Sequence, residues 1–316
     1  MKCRKCGEKA VIHMRQHRLA LCKEHYLEWF VAQTERFIEK YHMFTPQDTL
    51  LVAVSGGKDS LALWDVLWRL GYQADGLYIN LGIAGEDQYS HESQQRAAAF
   101  AAQRNLRLHV ADVKADYGES IPEIALRTHR GRGRPCSVCG LVKRHIMNHV
   151  SFIHNYDVLA TAHNLDDEAA VLFANTLNWS IDLLKRQAPV LESAPGFVRK
   201  VKPFCRFYER ETAAYTLLSG IDYIYEECPH SVGSKSLYYK QLLNQMEAEQ
   251  PGAKLRFYLA YLNARKNGFL PAEEQSKEER YANRCPICGQ PTSAPGLCAF
   301  CKLVNASTHI HPASPD

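Results

Sequence analysis

The sequence has no apolar run approaching the roughly 18 residues that a membrane-spanning helix requires. Its longest apolar stretches, such as Ala97–Ala102 and Ala169–Ala174, are far shorter. No apolar segment follows the positively charged start Met1-Lys2-Cys3-Arg4-Lys5-Cys6, which speaks against a secretory leader. Extremes of charge are missing too. Lys and Arg outnumber Asp and Glu only by 38 to 34, and a net charge of +4 permits a nucleic-acid partner without requiring one. The composition, 46% hydrophobic and 23% charged, also lacks the bias of a disordered chain. There is no long-period internal repeat. What remains is a soluble globular protein with no membrane partner, and its 316 residues give room for about two domains.

What the sequence does have is cysteine. Ten of the eleven fall into three groups: Cys3, Cys6 and Cys22; Cys136, Cys139 and Cys228; Cys285, Cys288, Cys298 and Cys301. The odd total and the four Cys-x-x-Cys pairs argue against a secreted disulfide framework and for metal ligands in a reducing, cytoplasmic compartment. Cys205 stands alone and reads as a small buried hydrophobe. In the first group, a tight knuckle at Cys3 and Cys6 and the helix start at Cys22 and His25 supply three thiolates and an imidazole, a zinc set. The alternative is a redox dithiol with an unrelated Cys and His. In the last group, two knuckles turn four thiolates onto one ion, a second zinc site in ribbon form. Before it, Glu273–Arg280 reads as a charged connector, and the tail His309–Asp316 carries no structural signal.

Between the two modules, strands and helices alternate. Thr49–Val54, Asp75–Asn80, Leu106–Val110 and Asp157–Ala162 read as strands; Leu61–Leu70, His91–Arg104 and a segment from about Asp166 to Leu177 read as helices. This predicts an α/β fold with a doubly wound parallel sheet, whose ligands sit beyond the carboxyl ends of the strands. The expected division is a zinc finger at residues 1–28, a catalytic domain at 29–270 and a zinc ribbon at 271–316.

Directly after the first of these strands comes Ser55-Gly56-Gly57-Lys58-Asp59-Ser60. The glycines let backbone approach a phosphate, the following helix aims N–H groups at it, and Lys58 adds a cation. It is not a Walker A loop, because Asp59 follows the lysine and Val52 stands where that motif needs glycine. The hexapeptide is similar to the SGGxDS loop of PP-loop ATP pyrophosphatases, which release diphosphate and attach AMP to a substrate. The bland alternative is a chance Gly-Gly turn. At the fourth strand's carboxyl end, His163-Asn164-Leu165-Asp166-Asp167-Glu168 could hold Mg²⁺ against phosphates, handle a proton, or serve only as helix-starting charges. The trio Cys136, Cys139 and Cys228 is one thiolate short of a closed zinc site. It fits an Fe–S cluster with one open iron, a Cys136–Cys139 persulfide or disulfide pair, or an incomplete zinc. Two basic stretches, Arg127/Arg130/Arg132/Arg134 and Arg199/Lys200/Lys202/Arg206/Arg210, the second interleaved with Phe204, Phe207 and Tyr208, point to an RNA surface with stackable rings.

Taken together, this order of motifs resembles the TtuA-type tRNA 2-thiouridine synthases (tRNA-5-methyluridine 2-sulfurtransferases), nearly end to end. The resemblance implies a [4Fe-4S] cluster on Cys136, Cys139 and Cys228 with a fourth iron free to bind sulfide. It implies two Zn²⁺, on Cys3/Cys6/Cys22/His25 and on Cys285/Cys288/Cys298/Cys301. ATP with Mg²⁺ would be lined by Ala53, Ser55, Lys58, Asp59, Ser60, Ile79, Lys143 and Ala162, together with the loop glycines Gly56 and Gly57; many relatives carry glycine where Ala162 stands. Lys143 and Asp167 would serve catalysis, with Lys58 stabilising developing charge. The expected activity is ATP-dependent thiolation of a tRNA uridine: its C2 oxygen is adenylated and sulfide replaces it. T-loop position 54 is favoured, with the anticodon wobble uridine as runner-up. A ubiquitin-like sulfur carrier ending in a thiocarboxylate is the implied partner, and a homodimer is common among relatives. Two other readings are an ATP pyrophosphatase whose adenylate meets an amine, and a zinc-ribbon RNA-binding adaptor with an inactive nucleotide loop.

Overall fold

The computed structural model describes residues 1–83, 88–131, 135–231, 233–270, 281 and 283–304. Arg132 and Arg134, the connector Glu273–Arg280 and the tail His309–Asp316 lie outside them. Two short strands, β1 (Ile12–Met14) and β2 (Leu19–Leu21), form a hairpin that leads into α1 (Lys23–Lys40). Then β3 (Leu50–Val54), α2 (Lys58–Arg69), β4 (Ala74–Asn80), α3 (Tyr89–Arg104) and β5 (Leu108–Asp112) build one half of a sheet. After α4 (Val113–Tyr117), α5 (Ile121–Arg127) and α6 (Pro135–Ile153), the other half follows as β6 (Val158–Ala160), α7 (Leu165–Leu177), α8 (Ile181–Arg186), β7 (Val190–Leu191) and β8 (Arg199–Val201). Helices α9 (Glu209–Leu218), α10 (Lys235–Glu249) and α11 (Ala253–Lys266) precede the last module, with β9 (Asn283–Arg284), β10 (Pro291–Thr292) and a short helix Ala299–Leu303.

The six-stranded sheet has the order β5-β4-β3-β6-β8-β7, all parallel except the edge pair β7–β8. This is the doubly wound α/β arrangement that the alternating pattern predicts. The central strand β3 is apolar throughout because both its faces are covered. Its Leu50, Val52 and Val54 face the core shared with α1, α2 and α9, and Leu51 faces the core shared with α5 and α6. Helix α2 is apolar on nearly every side, Leu61–Trp64, Val66 and Leu67 being fully buried, since it lies beneath other helices as well as on the sheet. The direction in which successive strands are added reverses between β3 and β6, a parallel pair whose register sets Val52 against Ala160. The loops that leave these two strands therefore emerge side by side, at the kind of crevice where such sheets bind ligands.

The second basic stretch departs from expectation. Arg199–Val201 is strand β8, and Phe204, Phe207 and Tyr208 are core residues no more than 1% exposed. Phe207 stacks on Phe30 at 4.1 Å, Lys202 pairs with buried Glu168 at 2.7 Å, and Arg206 lies over the Phe37 ring. These rings are not a stacking surface for RNA; burying them gains more than exposing them would. A three-residue strand is too short to announce itself by periodicity. In the first stretch, Arg127 is held by Glu119 at 2.6 Å and by the Leu303 carbonyl. Cys205 is fully buried, as expected.

Fully buried Asp65 on α2 joins three elements, accepting from Arg69 of its own helix, from Arg104 at the end of α3 at 2.7 Å and from the Tyr215 hydroxyl on α9 at 2.7 Å. Removing one member of such a network strands the others. Asp65→Ala is expected to cost about 3–5 kcal/mol and Tyr215→Phe about 1 kcal/mol in equilibrium denaturation.

Candidate active site

The loop after β3 is built by its own side chains. Ser60 Oγ donates to the Gly57 carbonyl and accepts from the Ser55 N–H, both at 3.0 Å, folding the turn back on the first helical turn of α2. Gly56 has φ +75°, and a Cβ there would lie 2.2 Å from the Ser93 carbonyl oxygen of α3, so no larger residue fits. Lys58 Nζ lies 3.0 Å from Asp59 and 2.9 Å from Glu209 at the start of α9. Burial works to depress its pKa, but the two carboxylates outweigh burial and hold the ammonium above the ordinary lysine value. Asp59 is pushed up by its own burial, against the pull of Lys58, and accepts hydrogen bonds from Thr212 and, at 3.5 Å, Asn164. That last bond ties the two strand-end loops together.

In the second loop the acids divide their work. Asn164 and Asp167 form a reciprocal capping box at the start of α7, and Asp167 also meets Lys240 of α10 at 2.7 Å. Lys240 in turn reaches Glu209 at 3.1 Å. The result is an alternating chain, Asp59–Lys58–Glu209–Lys240–Asp167, along one side of a cleft. The helix-cap reading of Asp167 is met, and the same carboxylate carries an ion pair at the cleft. Asp166 and Glu168 are buried and paired with Lys254 at 2.5 Å and Lys202 at 2.7 Å. Glu209, Thr212 and Lys240 escaped the sequence reading; each is distant in sequence and sits in no motif.

Two cavities meet at the loop. One, of about 100 Å³, is lined by Ala53, Ser55, Tyr78, Ile79, Tyr89, Lys143 and Met147 among others, an apolar slot with one cation. It gathers four of the residues expected around ATP. Ala162 is half-buried against the core and lines neither cavity. The other is an open cleft of about 740 Å³ whose lining includes Ser55, Gly57, Lys58, Asp59 and Ser60 together with Cys228. Tyr89 and Ser55 belong to both.

The cysteines differ in compactness. Cys3, Cys6, Cys22 and His25 hold their ligand atoms within 4.8 Å of one another, as do Cys285, Cys288, Cys298 and Cys301. Sulfur pairs in each, Cys6–Cys22 and Cys288–Cys298, are 3.8 Å apart, and two thiolates at about 2.3 Å from one tetrahedral ion would stand about that far apart. Both sets fit zinc. The trio is looser and does not reach this compactness among the described residues. Cys136 and Cys139 share one face of α6 with Lys143, one turn beyond Cys139, and the Cys136 thiol faces the carbonyl of His230 at 3.3 Å, two residues past Cys228. Ligands of a cluster bind separate irons, so a wider trio suits a cluster better than a single shared ion. Among the described residues, no helix is long and apolar enough to cross a membrane.

Comparison with known proteins agrees with this geometry. Residues 2–27 match the N-terminal LIM domain of 2-thiouridine synthetase TtuA, and residues 27–228 match the PP-loop domain. The chain is 52% identical to a tRNA-5-methyluridine(54) 2-sulfurtransferase of Thermus thermophilus, over 97% of this chain and 92% of that one. The chain belongs to this family. It is also 40% identical to the sulfurtransferase of the same name from Pyrococcus horikoshii, over 98% of this chain and 96% of the other. A U34-tRNA thiolase, NcsA from Methanococcus maripaludis, solved with its [4Fe-4S] cluster, has the same fold, with TM-score 0.79 and 24% identity over 99% of both chains. The protein is therefore a PP-loop enzyme of the TtuA type.

Two outcomes follow from the loop. Gly56→Ala is expected to abolish ATP binding measured by titration calorimetry, since the loop must leave Ser93 to admit a methyl group. Burial alone would raise the Glu209 carboxyl, but Lys240 and Lys58 bring it down to about 2. A depressed carboxylate stabilises the fold above its unfolded-state pKa and loses that contribution as pH falls through the folded one. Stability should therefore fall between about pH 4.5 and about pH 2, and Glu209→Gln should flatten that part of the acid-denaturation curve.

Proposed function

We propose that the protein uses ATP to exchange the C2 oxygen of a tRNA uridine for sulfur, at T-loop position 54. The observation that carries this reading is the single cleft lined by both the phosphate loop and Cys228. A sulfur-bearing centre and an adenylating centre on one cavity are what successive activation and displacement at a single carbon require. An amine-consuming pyrophosphatase has no use for the three thiolates, and an adaptor has no use for the paired Lys58 and Lys240.

In this scheme the adenosine occupies the slot lined by Ala53, Ile79 and Lys143, and the β- and γ-phosphates lie on the loop N–H groups and Lys58. The uridine O2 attacks the α-phosphorus, the bond to the bridging oxygen breaks, and diphosphate leaves. Lys58 and Lys143 stabilise the charge that builds on the phosphates. Asp59 and Glu209 hold Lys58, and Asp167 and Glu209, anchored by Lys240, would hold any Mg²⁺ that accompanies the triphosphate. Sulfur then adds at C2 and AMP departs with the original oxygen. Cys136, Cys139 and Cys228 would hold a [4Fe-4S] cluster, which supplies an iron position left open for sulfur. Sulfur arriving on the thiocarboxylate of a ubiquitin-like carrier suits this centre. The names of the relatives at 52% and 40% identity favour position 54 over the wobble uridine.

The test is metal analysis and thiolation on protein purified without oxygen. About four irons and two zincs per chain are expected. Cys228→Ser should lose iron and all 2-thiouridine formation while still binding ATP. Full thiolation by this variant, or a wild-type protein that makes no AMP with tRNA, would sink the reading.

A further inference from the structure

The wall that joins the phosphate loop to Cys228 is the segment Tyr223–Cys228. It is pinned to the loop by the Ile224 N–H, which donates to the Gly56 carbonyl at 3.0 Å. On this wall Tyr225 stands 65% exposed, and its hydroxyl has no partner among the described residues. Tyr223 supports it from behind: that ring is only 8% exposed, and the two centroids are 4.3 Å apart with the planes tilted by 36°. Both rings line the cleft. A large aromatic face is thus held toward the cleft by a fixed backbone and a buried second ring, a flat surface open to a stacking ligand.

We propose that Tyr225, backed by Tyr223, is the platform on which the target pyrimidine of the RNA stacks when it is turned into the cleft. The inference rests on the thiolation reading above. That reaction needs one base whose O2 reaches the α-phosphorus of the nucleotide and whose C2 reaches sulfur at the cysteine trio, and Tyr225 lines the same cleft as Lys58 and Cys228. The slot beside Ala53 and Ile79 already accounts for the adenine, which leaves this ring for a second base. The occupant is a nucleobase: Glu226 and Glu227 line the same wall, and a carboxylate accepts from the imide N–H of a uracil. A base turned out of its stack is ordinarily held by such a ring, and stacking tolerates any base that shape and hydrogen bonding admit.

The experiment uses the iron-loaded full chain with ATP, tRNA and sodium sulfide as sulfur source, so that no carrier protein is needed. Tyr225→Ala is expected to raise the KM for tRNA about tenfold while kcat changes far less. Tyr225→Phe and Tyr225→Trp should restore the KM, because they keep the ring. Iron content and ATP titration of each variant check that the fold and the nucleotide site are intact; if Tyr225→Ala fails that check, the Phe and Trp variants against Tyr225→Ser give the same comparison. A wild-type KM in the Ala or Ser variant would overturn the platform and leave the thiolation reading standing. So would a Phe variant as weak as Ala, or a defect seen only when a carrier protein replaces sulfide. A wild-type chain that cannot thiolate tRNA would instead overturn the reading beneath it.

Discussion

Three consecutive acids at the start of α7 hold the site together. Successive helical residues point about 100° apart, so Asp166, Asp167 and Glu168 reach different neighbours. Asp166 takes Lys254 of α11, Asp167 takes Lys240 of α10, and Glu168 takes Lys202 beyond β8. Buried charge cannot be left unpaired without a cost of several kcal/mol. Each lysine is thereby compelled to one place, and with it the element that carries it. Helices α10 and α11 enter the sequence long after the sheet is complete, and these pairs, together with the packing of both helices on α7, dock them at its carboxyl edge. Asp166 also accepts from the Glu209 N–H at 2.9 Å, which sets the first turn of α9 beside the phosphate loop.

The two cysteine modules lie far apart in sequence, yet each braces a helix or loop that bears site residues. In the first, Cys22 opens α1, and one turn later Tyr26 donates to the Glu211 carbonyl at 2.6 Å. Gln16 and His17 of the same module bond the Glu211 carboxylate, and Phe30 stacks on Phe207 and Tyr215. These contacts hold α9, and so Glu209 and Thr212. In the last module, Phe300 stacks on His145 at 3.7 Å and Gln290 accepts from Asn148 at 3.2 Å. Both partners are on α6, the helix of Cys136, Cys139 and Lys143. Metal in either module would then stiffen the active site without touching substrate, because a staple on a small core fixes whatever packs on it.

The parts of the site that were legible in the sequence are those held by contiguous residues. Ser55–Ser60 sits between a strand and a helix, and its glycines answer to a backbone requirement that only their own neighbours impose. The four-ligand groups are equally local, since a knuckle needs only its two-residue spacing. Glu209 and Lys240 were invisible for the opposite reason: Lys58 and Glu209 are 151 residues apart, and no pattern within either helix marks the partner. The basic run at Arg199–Arg210 misled because charge and rings alternate there as they do on RNA-binding surfaces. What separates the two cases is which side chains face the core, and β8, three residues long between β6 and the edge strand β7, decides that only once the sheet has formed.

The alternating chain also bears on how a triphosphate can enter. Asp59, Glu209 and Asp167 carry three negative charges against two positive ones on Lys58 and Lys240, so the row sums to −1. Within a few ångströms, that sign opposes a polyanion. The loop N–H groups offset part of it, as at any helix start. A divalent cation carried by the triphosphate would reverse the sum to +1, sharing the carboxylates with the two lysines. The three acids do not form a compact group of their own among the described residues. Mg²⁺ takes one or two carboxylates and completes its shell with phosphate oxygens and water. Lys58, charged and already aimed by Asp59 and Glu209, then needs little rearrangement to meet a phosphate.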